Sequence, residues 1–536
     1  MKRRLTLVLA GAACAWSVHA SELTVLPAPQ KVEMGTGQFT FNKQTVVAAD
    51  SSLTGAGDYL AGVLRRSTGL PLPRVGGTNL RRNAIVFRKA PVKLPPGAYR
   101  LEVGTQGAVV FASSADEAFS GCQTLLQLLP VEAMSTNKAA GVTWSVPCMK
   151  IEDAPRFAWR WLMLDESRHF FGKEKVKQIL DVMAYLKMNR FHWHLTDEPG
   201  WRIQINKYPK LTEVGAVGNW SNAKAPAAFY TQTDIAEIVR YAQQRHIIIV
   251  PEIDMPGHAT AATRAYPGVS GGGNGFTFNP ASEQTYRFLE DVLTEVAGMF
   301  PGPFLHIGGD EVSFGSKSWK TDPQIQQFMR DNNLKNEAEL ERYFVRRVQG
   351  IIAKLGKTMM GWDEITAAGV DTNRTAVMWW RHDKPGVLDD ALAKGYRVVL
   401  CPRQPCYFDF VQHDSHRIGR RWNGFNDLER VYDFPDPLQA HWKDRQAQVL
   451  GVEACLWTER VADAHRLDFM LFPRLAAIAE DGWSNATVKN KDKFLERVRV
   501  FLRYLDLRGV TYFNHFEPAK TPEPTGPNKA DPLANG

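Results

Sequence analysis

Eight short apolar runs recur along the chain after Pro155, each ending in polar or aromatic residues and separated from the next by a longer stretch. The runs are Trp161 to Leu164, Phe191 to Leu195, Ile247 to Ile253, Phe304 to Ile307, Thr358 to Trp362, Ala376 to Trp380, Arg397 to Leu400 and Val449 to Leu456. Runs this short suit buried strands. The intervening stretches, such as Lys173 to Lys187, Thr233 to Arg245, Glu283 to Met299, Glu337 to Leu355 and Val387 to Lys394, carry apolar residues at helical spacing. The alternation predicts an α/β fold, a (β/α)8 TIM barrel. An open doubly wound sheet would use the same alternation, but the chain has no dinucleotide fingerprint.

A barrel gathers its chemistry at the carboxyl ends of its strands. Here those ends deliver Asp165-Glu166-Ser167-Arg168-His169, His194-Leu195-Thr196-Asp197, Asp254 to His258, Asp310-Glu311, Trp362-Asp363-Glu364, Trp379-Trp380-Arg381, Tyr407-Phe408-Asp409 and Trp457-Thr458-Glu459. Helix caps would favour Ser, Thr, Asp and Asn and would not account for the tryptophans. Aromatic faces beside carboxylates and an arginine suit a sugar, whose C–H faces stack while its hydroxyls take bidentate hydrogen bonds.

The rest of the chain frames this unit. Residues 1–20 have a basic start at Lys2, Arg3 and Arg4, an apolar segment too short to span a bilayer, and a small-residue cleavage site at Val18-His19-Ala20. They predict a signal peptide and an exported protein, periplasmic or secreted; lipidation at Cys14 is the alternative. Residues 21–150 mix β-branched runs with two helical patterns, Gly57 to Arg66 and Ala115 to Leu129, and read as a small α/β accessory domain. Residues 151–516 form the catalytic unit, and residues 517–536, rich in Pro, Lys, Asn and Gly, read as a disordered tail. The net charge of +8 is scattered, which argues against nucleic-acid binding. Outside the first twenty residues there are five cysteines, so at least one thiol stays free unless a bond forms between chains.

The pair Asp310-Glu311 is the most informative detail. Most glycosidases use two carboxylates on opposite sides of the scissile bond. Sequence neighbours in a strand point to opposite faces, so both can reach one pocket only if the backbone turns there, and Gly308-Gly309 supplies that freedom. Two carboxyls on one side of a substrate suit a division of labour: one protonates the leaving oxygen, and the other handles a substrate group that is itself the nucleophile.

His306-Ile307-Gly308-Gly309-Asp310-Glu311-Val312 resembles the signature of glycoside hydrolase family 20, the β-N-acetylhexosaminidases. Leu164 to Phe170, His192 to Asp197, Pro251 to His258, Gly361-Trp362 and Trp457 to Glu459 extend the resemblance in order, and residues 21–150 resemble the family's accessory domain. The resemblance implies an exo-acting retaining hydrolase of terminal β-linked N-acetylhexosamine, working through an oxazolinium intermediate without metal or cofactor. It makes Glu311 the general acid/base and Asp310 the group that orients the acetamide. Arg168 would hold the hydroxyls at C3 and C4, and Glu459 and Asp409 those at C4 and C6. Tyr407 would bond the acetamide oxygen, Trp362, Trp380 and Trp457 would wall the pocket, and Asp197 with His258 would sit behind Glu311. The expected partner is an oligosaccharide or glycoconjugate ending in N-acetylhexosamine.

The chain departs from the family pattern at Arg160-Trp161, where Arg-Gly is common, and around Phe434, which is expected to stand in for a pocket tryptophan. Gly271 to Gly275 reads as a flexible segment at the barrel mouth. Two other readings compete. One is a metal-dependent hydrolase using His192, His194, His258 and Asp310. The other is a carbohydrate-binding protein without catalysis.

Overall fold

The computed structural model describes residues 23–79, 82–421 and 424–524. The predicted signal peptide, Cys14 and residues 525–536 of the predicted tail lie outside the described residues.

Seven strands build the first unit: β1 (Lys31–Thr40), β2 (Val46–Ala49), β3 (Arg74–Val75), β4 (Ala84–Lys89), β5 (Tyr99–Gly104), β6 (Gly107–Ala112) and β7 (Ser145–Asp153). They form one mixed sheet in the order β1-β7-β5-β6-β4-β2-β3. Two helices pack on it, α1 (Thr54–Thr68) and α2 (Ala115–Leu128), the second opened by a capping box between Ser114 and Glu117. The sheet's last strand runs to Asp153, a little past the boundary drawn at residue 150.

Eight parallel strands then close into a barrel: β8 (Trp159–Asp165), β9 (Arg190–His194), β10 (Ile248–Glu252), β11 (Phe304–His306), β12 (Thr358–Trp362), β13 (Thr375–Trp379), β14 (Arg397–Leu400) and β15 (Val449–Leu456). β15 pairs with β8 to complete the ring. Each apolar run named above therefore contains or overlaps one strand, in order. Alternation divides the side chains: Leu162, Leu164, Phe191 and Trp193 join the large core outside the barrel, while Trp161, Met163, Val250, Phe304, Met360 and Met378 belong to a separate inner core. Trp161 is fully buried there, in edge contact with Trp159 at 5.3 Å between ring centroids, and serves as a packing residue of the lumen.

Two expectations need correction. Residues 517–524 are not loose: Glu523 accepts the amide of Ile418 at 2.9 Å and pairs with Arg466 at 3.1 Å. Charge complementarity at Glu523 outweighs the Pro-rich composition. Gly271 to Gly275 is pinned as well, because Ser318 Oγ donates to Gly271 O and a side chain at Gly271 would collide with Trp319. All five cysteines among the described residues, Cys122, Cys148, Cys401, Cys406 and Cys455, are buried free thiols.

The two units share a buried polar joint. Asp153 at the end of β7 accepts from Tyr99 at 2.6 Å and from Trp483 Nε1 at 3.0 Å, and Lys187 Nζ lies 3.2 Å away with neither charged side chain exposed. A buried charge left without its partner is far costlier than a surface one. Asp153→Ala should therefore lower the unfolding free energy by about 3–5 kcal/mol, and the double variant with Lys187→Met should recover part of that loss. Urea unfolding of the three proteins checks both expectations.

Candidate active site

The mouth of the barrel holds a cavity of about 300 Å³ lined by residues that follow seven of the eight strands, all but β12. Arg168, Asp197, His258, Asp310, Glu311, Trp380, Tyr407, Trp457 and Glu459 all reach it, together with Asp254, Phe314, Arg403 and Arg420.

The backbone leaves β11 in an unusual way. Gly308 and Gly309 have φ of 66° and 91°, and Glu311 itself sits at φ 51°, a left-handed conformation rare for a side chain of this kind. This turn brings neighbouring carboxylates to one wall: Asp310 Oδ2 and Glu311 Oε2 lie 3.8 and 3.7 Å from the same nitrogen, His258 Nε2. A Cβ on Gly308 would fall 1.8 Å from Asp254 Oδ1 and one on Gly309 2.5 Å from Ile365, so both glycines are required by space as well as by φ. Burial raises the carboxyl of Asp310 to about 7, against the opposing pull of His258.

Behind this wall lies an ionic chain. His258 Nδ1 is 3.0 Å from Asp197 Oδ1, and Asp197 Oδ2 receives Arg168 at 2.7 Å and His194 Nε2 at 2.8 Å. Burial would raise the carboxyl of Asp197, but Arg168 and His258 outweigh it and hold the group well below the usual range. Burial would likewise discharge His258; Asp197 and Asp254 reverse that and raise it well above the ordinary imidazole value.

The aromatic wall is continuous. Trp380 stacks on Tyr407 at 6.4 Å with an interplanar angle of 11°, Tyr407 lies 6.1 Å from Trp457, and the Arg168 guanidinium sits 5.1 Å over Trp457. Burial pushes the Tyr407 hydroxyl well up, so it stays a donor. Trp380 is oriented by its indole N–H, which donates to Glu364 at 3.0 Å.

Three sequence expectations shift in detail. Trp362 is buried beneath the cavity and does not line it; its indole donates to Glu252 at 3.1 Å and its ring supports Trp457 at 5.8 Å. Asp409 lies behind the lining, clamped by Arg420 Nε at 2.6 Å while Arg420 Nη2 reaches Glu459 at 3.1 Å. Phe434 packs in the outer core, because Tyr432 and Lys489 hold its segment there, and contributes nothing to the pocket. Arg403, at the start of the short helix Arg403–Cys406 just after β14, and Arg420, on the segment that follows it, also reach the cavity, and neither is marked by the spacing of the apolar runs. Phe314, 67% exposed at the rim, lacks any strand-end signal. Asp254 stood in a strand-end motif, which was the available clue. The four residues of the metal reading do not meet at one point: His192 and His194 each group with Glu252, His258 groups with Asp310 and Glu311, and among the described residues no set of close donor atoms joins either of the first two imidazoles to Asp310.

Comparison with known proteins decides the family. A profile described as glycosyl hydrolase family 20, catalytic domain, matches residues 157–486, and its companion for domain 2 matches residues 22–154. The chain belongs to glycosyl hydrolase family 20. It is a glycoside hydrolase, similar to curated β-hexosaminidases and to solved family 20 structures. A β-hexosaminidase of Porphyromonas gingivalis is 36% identical over 91% of this chain, which spans 64% of that relative's length; one of Vibrio furnissii is 34% identical, covering 87% and 77%. A β-N-acetylhexosaminidase of Cellulomonas fimi is 31% identical over 92% of this chain and 96% of its own. Among solved structures, a family 20 exo-β-N-acetylglucosaminidase from Vibrio harveyi in complex with N-acetylglucosamine superposes with a TM-score of 0.84 at 33% identity, covering 92% of this chain and 79% of that one. A mutant Streptomyces plicatus β-hexosaminidase in complex with product gives 0.81 at 33% identity over 92% and 97%.

The family 20 turn at Gly308 carries a direct test. Gly308→Ala should lower kcat/KM by about a hundredfold, because the methyl displaces Asp254 and with it the Asp310 wall. Gly350→Ala, where an added methyl meets nothing, should leave kcat/KM unchanged. Parallel kinetics on one aryl glycoside compare the two.

Proposed function

We propose that this family 20 enzyme is an exo-acting, retaining β-N-acetylhexosaminidase that releases terminal non-reducing GlcNAc or GalNAc with the substrate's own acetamide as nucleophile. The observation that carries this reading is the shared wall. Asp310 and Glu311 stand on one side of the cavity, and two of the other three lining carboxylates are committed elsewhere: Asp197 to Arg168, His194 and His258, and Glu459 to Arg420. Two neighbouring acids on one wall differ from the usual arrangement of two carboxylates across the scissile bond. Asp254 is packed against Gly308.

In this mechanism Glu311 protonates the glycosidic oxygen as the acetamide oxygen attacks C1. Asp310 accepts the acetamide N–H and faces the positive charge that develops on the oxazolinium ring, while Tyr407 donates to the acetamide oxygen. Glu311 then takes a proton from the incoming water, which opens the ring with net retention. The Trp380, Tyr407 and Trp457 faces exclude water around the acetamide. Arg168, Glu459 and Asp409 read the remaining hydroxyls, the last two through the Arg420 clamp. The complexes of relatives with N-acetylglucosamine and with product support this substrate class. Chitin-type oligosaccharides present such ends, and the charged and apolar first twenty residues support an exported, periplasmic or secreted location.

Glu311→Gln should reduce kcat about 10²- to 10⁴-fold on an alkyl or sugar aglycone, and much less on an activated aryl aglycone that leaves without a proton. Asp310→Asn should impair both substrates. Equal and near wild-type rates in either variant would refute the roles.

The pH dependence follows from the same carboxyl. Asp310 must be ionised to act, so kcat/KM should fall as pH drops through about 7, its value in the free protein. The substrate N–H stabilises the carboxylate, so the corresponding limb in kcat should lie at lower pH. Residual activity of Asp310→Asn should lack that limb.

A further inference from the structure

The interior of the barrel below the cavity is not wholly apolar. His192, His194, Glu252, His306 and Glu453 are buried there on four strands. Glu252 is the centre of this group. Its Oε2 lies 2.6 Å from His194 Nδ1 and 2.9 Å from His192 Nε2, and its Oε1 lies 3.0 Å from His306 Nδ1 and 3.1 Å from the Trp362 indole nitrogen. Two hydrogen bonds, from His194 and Trp362, and the close ring nitrogens of His192 and His306 thus gather around one buried carboxylate, more than packing a strand end requires.

One of these partners connects to the site above. His194 spans from Glu252 on Nδ1 to Asp197 on Nε2 at 2.8 Å. Both nitrogens face carboxylate oxygens, which only accept, so both must carry protons and the ring is an imidazolium. Burial opposes that charge, and Glu252 and Asp197 overcome it, raising His194 well above its ordinary value. Asp254 is the other acid near His194, Arg168 shares its Asp197 oxygen, and the Trp457 ring covers it at 5.0 Å.

We propose that Glu252 is a positioning residue of the reaction: through His194 and Asp197 it orients and charges the His258 imidazole that faces Asp310 and Glu311. The path is an unbroken alternation of carboxylate and imidazole, Glu252, His194, Asp197, His258, ending at the two catalytic carboxyls. Its positive members lie nearer the cavity than Glu252, so the chain presents a fixed positive potential to Asp310 and Glu311. This deepens the function proposed above and rests on it.

The test is the pH profile of kcat/KM for Glu252→Gln and His194→Gln on an aryl β-N-acetylglucosaminide, with near-UV circular dichroism as the folding check. With one carboxylate partner left, His194 gives up its second proton in Glu252→Gln. In His194→Gln the cation is gone and Glu252 keeps its charge. Both changes make the potential at the catalytic carboxyls more negative, which raises their proton affinity. Both limbs of the profile should therefore move to higher pH by about half a unit or more, further in His194→Gln, with kcat lowered about 10- to 100-fold. Glu252→Asp, which keeps the charge, should restore the limbs to their wild-type positions. Limbs that coincide with wild type in a folded variant, with activity merely scaled down, overturn the proposal and leave Glu252 a structural residue. If Glu252→Gln does not fold, the same criterion is read on His194→Gln and Glu252→Asp. A wild-type protein without turnover overturns the function proposed above together with this role, whereas wild-type turnover with unmoved limbs overturns this role alone.

Discussion

Closure of the sheet is the constraint on which everything else depends. Because β15 pairs with β8 in parallel, all eight strands point the same way around one ring, and their carboxyl ends meet at one mouth. Residues as distant in sequence as Arg168 and Glu459 become neighbours of a single cavity for that reason alone. The period of two along each strand does the remaining sorting. It sends Leu162 and Leu164 to the outer core and Trp161 and Met163 to the lumen, and it puts His192, Glu252, His306 and Glu453 on the inside, close to one another.

A closed ring of regular strands would still aim Asp310 and Glu311 in opposite directions. The turn, left-handed at Gly308, Gly309 and Glu311, breaks that regularity, and Asp254 and Ile365 lie so close to its glycines that neither has room for a side chain. His258, also left-handed at φ 52°, faces the same turn from the loop after β10. Backbone irregularity is thus concentrated where two acids must share one wall, while the regular ring beneath supplies the rigidity that keeps it in place.

The sequence was most legible where a periodic signal and a strand end coincide. The apolar runs mark all eight barrel strands, and the residues that follow them include most of the cavity lining, from Arg168 to Glu459. What escaped was set by tertiary partners. Arg420 comes to the cavity because Asp409 and Glu459 offer it two carboxylates, and neither its neighbours nor its spacing announces this. Trp362 has a strand-end position but drops below the floor because Glu252 captures its indole nitrogen. Phe434 sits in a Pro-rich segment whose depth is decided by Lys489, some fifty residues on. In residues 517–524, composition suggested a free tail, whereas one glutamate finds Arg466 and two backbone amides.

The adjacency of two carboxylates matters because it leaves the nucleophile's place to the substrate. The most direct measurement is the response of kcat/KM to fluorination of the acetamide across N-acetyl, fluoroacetyl, difluoroacetyl and trifluoroacetyl aryl glycosides. If the amide oxygen attacks C1, each fluorine weakens that oxygen and the rate falls steeply and progressively through the series. A flat response, with the trifluoroacetyl substrate turned over as fast as the parent, would contradict participation by the acetamide and demand a nucleophile from the protein or the solvent.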